Sequence, residues 1–239
     1  MKVGLLGLSN PCSYKEIESV KERLEKKGYE VVVSSILDKD TDGFQRASLF
    51  NKWMAQGFDE IYDVSGGDLA NETLPYLDLE VYKKSKTIFY GYSDLTCVLN
   101  VLSPIRPCVL FQIRNSEKIE YNFSYQGSSM SGMVVGGNIR CLLKLAGTPY
   151  FPNCENKILF LESYSGDAYR IRTYFSQLAL MGVFNQIKGL LLGQFSECDR
   201  KGIPIDFYSD YYRGAVGRTM EIGHGMNSKA LWIGKEIEL

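Results

Sequence analysis

The first half of the chain alternates short apolar runs with amphipathic stretches, and this alternation limits the fold more than any other feature. Apolar or β-branched runs of strand length occupy residues 2–8, 29–34, 60–64, 87–90 and 108–113. Apolar side chains at helical spacing occupy residues 14–27, 44–57 and 95–102. Strands that alternate with helices predict βαβ units, in which neighbouring strands run parallel. The sequence therefore predicts an α/β domain built on a parallel sheet.

The pattern changes near residue 120. Residues 119–135 are polar, aromatic and rich in Ser and Gly, without a helical period, which indicates a linker or short strands. Beyond this stretch we predict helices over 139–145 and 169–181 and strands over 157–161 and 189–193. We therefore expect two domains, an N-terminal one over residues 1–120 and a smaller, mixed α+β one over residues 121–239.

Charge and hydropathy exclude several classes of function. The 239 residues carry a formal net charge of −1, and the densest basic stretch, residues 21–27, alternates with acidic residues as on a solvated helix face. A nucleic-acid-binding protein would need a basic stripe instead. No apolar run approaches the roughly 18–20 residues that a membrane span requires, and residues 3–8 are too few for the core of a signal peptide. We expect a cytoplasmic protein that binds neither nucleic acid nor membrane.

The cysteines and the single histidine limit the possible cofactors. None of the six cysteines forms a C-x-x-C pair, which is typical of reduced thiols in a cytosolic protein. A histidine-rich metal site is excluded because His224 is the only histidine, and a cysteine-based zinc site would need clustered spacing. Ser9 and Cys12 stand where a dinucleotide-binding turn would place its later glycines. We therefore expect neither a metal nor a cofactor.

Ser93 lies where a predicted strand turns into a predicted helix. Gly91 allows the turn, and a serine at such a position can be held above the sheet with its hydroxyl exposed. The helix start behind it supplies backbone N–H groups that can stabilise an oxyanion. However, Leu95 occupies the position of the second glycine in the usual elbow pattern. The stretch alone is therefore also compatible with a serine that only caps the helix.

Glu162 and His224 are the other candidate catalytic residues. Glu162 ends an apolar strand and precedes a Ser/Gly-rich loop, and ligand sites of α/β proteins gather at the carboxyl ends of strands. His224 lies between Gly223 and Gly225, which allow the backbone to approach another group closely or to take a positive φ. A surface acid and a structural histidine are the ordinary alternatives. In a serine hydrolase that uses histidine, however, His224 must be the base.

Two glycine pairs could bring backbone N–H groups to a ligand. Gly66-Gly67 follows the third predicted strand, and Gly136-Gly137-Asn138 precedes a predicted helix. Ordinary turn chemistry is the alternative reading of both pairs.

Taken together, these segments resemble the LD-carboxypeptidase family, which includes muramoyl-tetrapeptide carboxypeptidases and microcin C immunity peptidases. Five motifs occur in the family's order along nearly the whole chain. They are Gly66-Gly67 with the LPYLD run 74–78, the GYSD run 91–94, Gly136-Gly137-Asn138 with the GTPY run 147–150, the LFLE run 159–162 and Gly223-His224. Three features depart from the family: Asp68 replaces a common tyrosine, the segment after Pro107 lacks a usual motif, and the stretch 199–218 is short.

The resemblance implies a flavodoxin/Rossmann-like N-terminal domain, an active site between the two domains, and a homodimer. It implies that Ser93 is the nucleophile, His224 the base, and Glu162 the residue that orients the imidazole. The N–H of Asp94, and that of Gly67 in the Gly66-Gly67 turn, would form the oxyanion hole.

The implied reaction is hydrolysis of an L,D-amide bond, with release of the terminal D-Ala from a cytoplasmic murein tetrapeptide. Asn138 is a candidate for substrate binding, and Arg170 a candidate for binding the substrate's carboxylate. One alternative is a peptidase that cleaves an aminoacyl-nucleotide analogue, with Tyr164 or Tyr208 stacking on the base. Another is a non-catalytic ligand-binding protein on the same scaffold.

Overall fold

The computed structural model describes residues 1–239 and contains two six-stranded sheets. The first half of the chain contains β1 (Lys2–Leu6), α1 (Tyr14–Lys26), β2 (Glu30–Val33), α2 (Gly43–Ala55), β3 (Glu60–Asp63), α3 (Leu79–Lys84), β4 (Ile88–Gly91), α4 (Thr96–Leu102) and β5 (Cys108–Leu110). The second half contains β6 (Gln126–Gly127), β7 (Ser131–Asn138), α5 (Ile139–Leu143), β8 (Ile158–Ser163), α6 (Ala168–Leu180), β9 (Gly189–Phe195), α7 (Ser196–Arg200), β10 (Ala215–Arg218), β11 (Leu231–Ile233) and β12 (Glu236–Glu238).

The first sheet has the strand order β11-β5-β4-β3-β1-β2. Its five N-terminal strands are parallel, so the predicted α/β class with a parallel sheet is confirmed. The sixth strand, β11, comes from near the C-terminus and pairs antiparallel with β5. The second half of the chain therefore contributes an edge strand to the sheet of the first half, which the sequence pattern did not indicate.

The second sheet has the order β12-β7-β8-β9-β10-β6, with four parallel central strands and two antiparallel edges. Here the prediction of a linker or short strands over 119–135 was incomplete, because β7 is an eight-residue strand next to β8. The glycines of β7 lower its strand propensity, so the sequence pattern did not indicate this strand. A Cβ on Gly136 would lie 2.2 Å from the Phe160 carbonyl oxygen, and one on Gly137 would lie 2.5 Å from Thr96 Oγ1. Close packing, rather than strand propensity, selects these residues.

One edge of β7 pairs with β8, and the other edge pairs with β12 only over its first residues. Helix α4 lies along the rest of this second edge, beyond Val134. The amide of Asn100 donates to the Gly136 carbonyl and accepts from the Gly136 N–H, both at 2.9 Å. One turn earlier, Thr96 Oγ1 accepts from the Asn138 N–H at 2.9 Å. Side chains four positions apart share one helix face. The helix therefore satisfies backbone groups that a further strand would otherwise bond.

The hydrophobic core is continuous between the two halves. One buried cluster joins α4 side chains such as Leu99 to second-sheet side chains such as Val134 and Phe160. The outer face of the second sheet packs against α5 and α6, and the other face of the first sheet packs against α1. Six of the seven α4 residues are buried, so this short helix is a core element shared by both halves. No helix is long and apolar enough to cross a membrane.

The α4–β7 contact predicts a large effect for Asn100→Leu. The change removes three hydrogen bonds and leaves the buried Gly136 N–H and C=O unpaired. We expect a loss of about 2–4 kcal/mol in the free energy of unfolding, since each orphaned group costs about 1–3 kcal/mol. Urea unfolding followed by circular dichroism measures it.

Asn51→Leu is the matched control. Asn51 also makes two backbone hydrogen bonds, to the Tyr76 carbonyl at 2.8 Å and from the Asp78 N–H at 2.9 Å, but at an exposed site. Water can replace them there, so we expect a loss below about 1 kcal/mol. Equal losses in the two variants would contradict the structural importance of the α4–β7 contact.

Candidate active site

Ser93 lies in a strained turn between β4 and α4. Its φ of +56° is in the left-handed region, and the other two non-glycine residues with positive φ are asparagines, which tolerate this conformation better. A Cβ on Gly91 would lie 2.9 Å from the Leu95 Cβ, so the turn is tight. From Gly91 to Asn100, Ser93 is the only residue that is not buried. The turn therefore presents this serine side chain to solvent on a rigid support.

Glu162 and His224 form a buried pair. Glu162 lies in β8 and is 0% exposed, and its Oε2 is 2.8 Å from His224 Nδ1. With Nδ1 bonded to the carboxylate, the imidazole keeps Nε2 available for another partner. The flanking glycines act through close approach, as predicted: a Cβ on Gly223 would lie 2.3 Å from Gln194 Cβ. Gln194 in turn accepts from the Gly225 N–H at 2.9 Å.

Asn138 holds the second oxygen of Glu162. The two residues are register partners on β7 and β8, and Asn138 Nδ2 donates to Glu162 Oε1 at 3.0 Å. The other end of the amide caps α5 by accepting from the Cys141 N–H at 3.3 Å. Both ends are therefore occupied within the protein. The geometry gives Asn138 a positioning role for Glu162 rather than the substrate contact that the sequence suggested.

Two tyrosine rings enclose His224. The Tyr92 ring lies edge-on at 4.8 Å, with its hydroxyl 3.5 Å from Nδ1, and the Tyr164 ring lies at 4.8 Å on another side. Burial, and then the Glu162 carboxylate, raise the pKa of Tyr92 well above its ordinary value, so this phenol stays protonated. Tyr92 directly precedes Ser93. The turn that carries the serine therefore contacts the histidine, although no hydrogen bond joins Ser93 Oγ to the imidazole.

The Gly66-Gly67 turn follows β3 in the first half of the chain. Gly67 has a φ of +120°, and a Cβ there would lie 2.3 Å from Asn10 Cγ. Asn10 binds both sides of the turn, donating its N–H to the Gly66 carbonyl at 3.2 Å and accepting from the Asp68 N–H at 2.8 Å. Arg140 donates to the Gly67 carbonyl at 3.2 Å. The turn is thus fixed from both halves of the molecule.

The side chain of Asp94 anchors the serine turn. It is 0% exposed and accepts from Ser9 Oγ at 2.7 Å, from the Ala70 N–H at 2.8 Å and from Lys144 Nζ at 2.6 Å. Burial lowers the pKa of Lys144, but the hydrogen bond and the charge of Asp94 raise it above its ordinary value. Lys144 also donates to the Asp68 carbonyl at 2.8 Å. One lysine from the second half therefore ties together the serine turn and the Gly66-Gly67 turn.

A cleft of about 440 Å³ opens beside His224. Its lining residues are Tyr164, Gln194, Ser196, Asp199, Arg200, Met220, His224 and Gly225. Arg170 is not among them. It is an exposed residue of α6 whose side chain makes no hydrogen bond. Tyr208, the other proposed stacking residue, packs against the core around α6.

Several residues of the site were missed in the sequence. Tyr92 contacts His224, Lys144 binds Asp94 beside Ser93, and Gln194 binds the Gly225 N–H beside His224. These contacts join residues far apart in the chain and leave no local pattern. Arg200 follows a predicted strand by a few residues, so the tendency of sites to lie at the carboxyl ends of strands could have identified it.

Comparisons with known proteins assign both halves to one family. The family model of the LD-carboxypeptidase N-terminal domain matches residues 3–109, and that of the LD-carboxypeptidase C-terminal domain matches residues 131–239. A Bacillus subtilis protein named "Probable murein peptide carboxypeptidase" is 22% identical and covers 97% of this chain and 86% of its own. The Escherichia coli "Microcin C7 self-immunity protein MccF" is 24% identical, covering 76% and 71%.

Solved structures share the fold. Microcin C7 self-immunity protein MccF in complex with aspartyl sulfamoyl adenosine matches with a TM-score of 0.87 and 19% identity, covering 100% of this chain and 92% of that one. Muramoyltetrapeptide carboxypeptidase from Oxalobacter formigenes matches with a TM-score of 0.84 and 19% identity, covering 100% and 94%. At this identity, the likeness establishes the fold alone.

The Asp94–Lys144 pair predicts that Lys144→Met destabilises the protein. The change leaves a fully buried carboxylate without its cation. We expect a loss of about 2–4 kcal/mol, below the full cost of an unpaired buried charge because Ser9 and the Ala70 N–H still bond Asp94. Thermal unfolding and urea titration measure it.

Lys201→Met is the matched control. Lys201 makes a salt bridge of similar length, 2.7 Å to Glu197, but both partners are more exposed than Lys144 and Asp94. Surface pairs contribute little, so its loss should change stability only slightly. If the two variants unfold at the same denaturant concentration, the pair does not anchor the turn.

Proposed function

The chain belongs to the LD-carboxypeptidase family, and we propose that it is a serine peptidase that hydrolyses an L,D-amide bond and releases the terminal D-Ala of a murein tetrapeptide. The observation that carries the proposal is the buried Glu162–His224 pair, which lies against the turn that exposes Ser93. The names of relatives that act on murein peptides support this choice of substrate. We further propose that it acts as a homodimer in the cytoplasm, where murein peptides are recycled.

The proposed chemistry follows from which imidazole nitrogen is occupied. Glu162 accepts a hydrogen bond from Nδ1–H, so Nε2 can take the proton of Ser93 Oγ as the oxygen attacks the scissile carbonyl. The same Nε2 then gives the proton to the leaving amine, and the C–N bond breaks to leave an acyl-serine. Water, activated by the histidine, hydrolyses this ester and restores Ser93. Glu162 stays ionised throughout and stabilises the imidazolium.

The tetrahedral intermediate needs hydrogen-bond donors for its oxyanion. Ser93 precedes the first turn of α4, and the leading N–H groups of a helix have no intrahelical partners. We assign the N–H of Asp94 as one donor and that of Gly67 as the second. The Lys144 link between the two turns supports the pairing, because it fixes their separation. Substrate binding would bring Ser93 Oγ and Nε2 into hydrogen-bond distance, since such contacts often tighten only in the complex.

One observation favours a second candidate, a peptidase for aminoacyl nucleotides. Tyr164 is 55% exposed and lines the cleft beside His224, where its face could stack on a nucleobase. The structure of MccF with aspartyl sulfamoyl adenosine supports this candidate. The same proposed nucleophile and base would act on both substrates, which differ in the leaving group.

We predict that Ser93→Ala abolishes hydrolysis of murein tetrapeptide with terminal D-Ala, with kcat lower by more than about 10³-fold. Loss of one alanine, followed by mass spectrometry, measures the reaction. Ser165→Ala is the control, because Ser165 is an exposed serine in the loop after β8. Undiminished cleavage by Ser93→Ala would reject the nucleophile. No cleavage by any form would direct the test to aminoacyl sulfamoyl adenosine, and failure there would favour a binding protein.

We predict that Glu162→Gln lowers kcat by about 10⁴-fold through the histidine tautomer. Asn138 Nδ2 is a donor, so it would bind the oxygen of the new glutamine amide. The NH₂ group of the glutamine would then face His224 Nδ1. Nδ1 would then have to accept, which places the proton on Nε2 and prevents that nitrogen from acting as a base.

A second change tests this mechanism directly. In Asn138→Asp/Glu162→Gln, the new carboxylate would accept from the amide NH₂ group and turn the amide oxygen toward Nδ1. We expect kcat to recover at least about tenfold over Glu162→Gln. Asn138→Asp alone should reduce activity, since two carboxylates would then share one site. A double variant that is no faster than Glu162→Gln would exclude control of the tautomer by Asn138.

A further inference from the structure

A carboxypeptidase needs a cation close to its base. The terminal carboxylate carbon of the substrate is three bonds from the scissile carbonyl carbon, at most about 4 Å away. The group that binds this carboxylate must therefore line the same cleft as His224. This requirement follows from the geometry of the substrate and rests on the function proposed above.

Arg200 is the one arginine or lysine that lines the cleft beside His224. It is the last residue of α7 and is exposed, and its only side-chain hydrogen bond joins Nε to the Ser196 carbonyl at 3.1 Å. Both terminal nitrogens of the guanidinium are therefore without a protein partner. A guanidinium with both terminal nitrogens free can donate two parallel hydrogen bonds to a carboxylate.

The acidic residues around Arg200 are already paired with other groups. Asp199, also in the cleft, binds Arg218 at 2.5 Å and accepts from the Phe195 N–H at 2.7 Å. Glu197 binds Lys201 at 2.7 Å and accepts from the Gly166 N–H at 2.7 Å. Helix α7 thus carries two carboxylates that are neutralised by neighbours and one cation that is not. This arrangement keeps a positive charge available at the cleft.

From these contacts we propose that Arg200 binds the terminal carboxylate of the substrate and determines the carboxypeptidase specificity. Arg170, the candidate from the sequence, does not line the cleft. Arg200 would hold the leaving D-amino acid on the far side of the scissile bond from the acyl group.

The test combines a change in the enzyme with a change in the substrate. Wild type and Arg200→Met are assayed on murein tetrapeptide with a terminal D-Ala and on the same peptide with a terminal D-Ala amide. We expect amidation to reduce kcat/KM of the wild type by about 100-fold, as for loss of a charged bidentate contact. In Arg200→Met this ratio should fall to within about threefold of unity, because neither substrate can make the contact.

Arg213→Met is the control, since Arg213 is an exposed arginine outside the cleft, and it should keep the wild-type ratio. Arg170→Met tests the alternative anchor. Cleavage with an unchanged ratio in Arg200→Met, or a ratio that collapses in Arg170→Met instead, overturns the proposal and leaves the peptidase function intact.

Binding separates the proposal from the reaction. Calorimetry with Ser93→Ala and Ser93→Ala/Arg200→Met compares the acid and amide peptides without turnover. One outcome is that wild type cleaves neither peptide, while Ser93→Ala binds the acid more tightly than the amide and Ser93→Ala/Arg200→Met does not. In that case the proposed reaction is wrong and the carboxylate site stands. If neither peptide is bound or cleaved, both proposals are wrong.

Discussion

The site depends on the contact between α4 and the open edge of β7. Thr96 and Asn100 bond the backbone of Asn138 and Gly136, so a helix from the first half occupies the position of a missing strand in the second sheet. Backbone hydrogen bonds of this kind define a register, which apolar packing alone would not fix. Ser93 lies one turn before this contact and Glu162 one strand beyond it. The separation of Ser93, the proposed nucleophile, from Glu162 is therefore set by the same bonds that join the two halves.

The two fully buried carboxylates of the site have different partners, and this gives them different roles. Asp94 is neutralised by Lys144 and two further donors, so it has no remaining chemistry and serves to anchor a turn. Glu162 has no permanent cation beside it; its neighbours are the neutral amide of Asn138, the phenol of Tyr92 and the imidazole of His224. A buried carboxylate with this set of partners favours a positive charge on the imidazole when it takes a proton. The fold thus leaves one of two similar carboxylates available for the proposed reaction.

The sequence predicted the elements whose patterns are local. The strands and helices of the first sheet were visible as apolar runs and amphipathic periods, and the turn at Ser93 as a strand, a glycine and a helix start. Strand β7 was not visible, since its glycines are required by contacts with Thr96 and Phe160 that lie far away in the chain. The crossing of β11 to the first sheet and the Lys144 anchor also depend on pairings between distant residues, for which a single sequence carries no signal.

The strain at Ser93 ties the proposed catalysis to the core. A serine in the left-handed region is unfavourable by about 1–3 kcal/mol, and it persists only where the surroundings determine the backbone on both sides. Here β4 fixes the chain before the serine, and buried α4, with Asp94 beneath it, fixes the chain after it. Loosening α4 would remove the support on which this strained turn depends, next to the Tyr92 ring that contacts His224. In the proposed mechanism, core packing between the halves therefore contributes to catalysis, even though none of its side chains would touch the substrate.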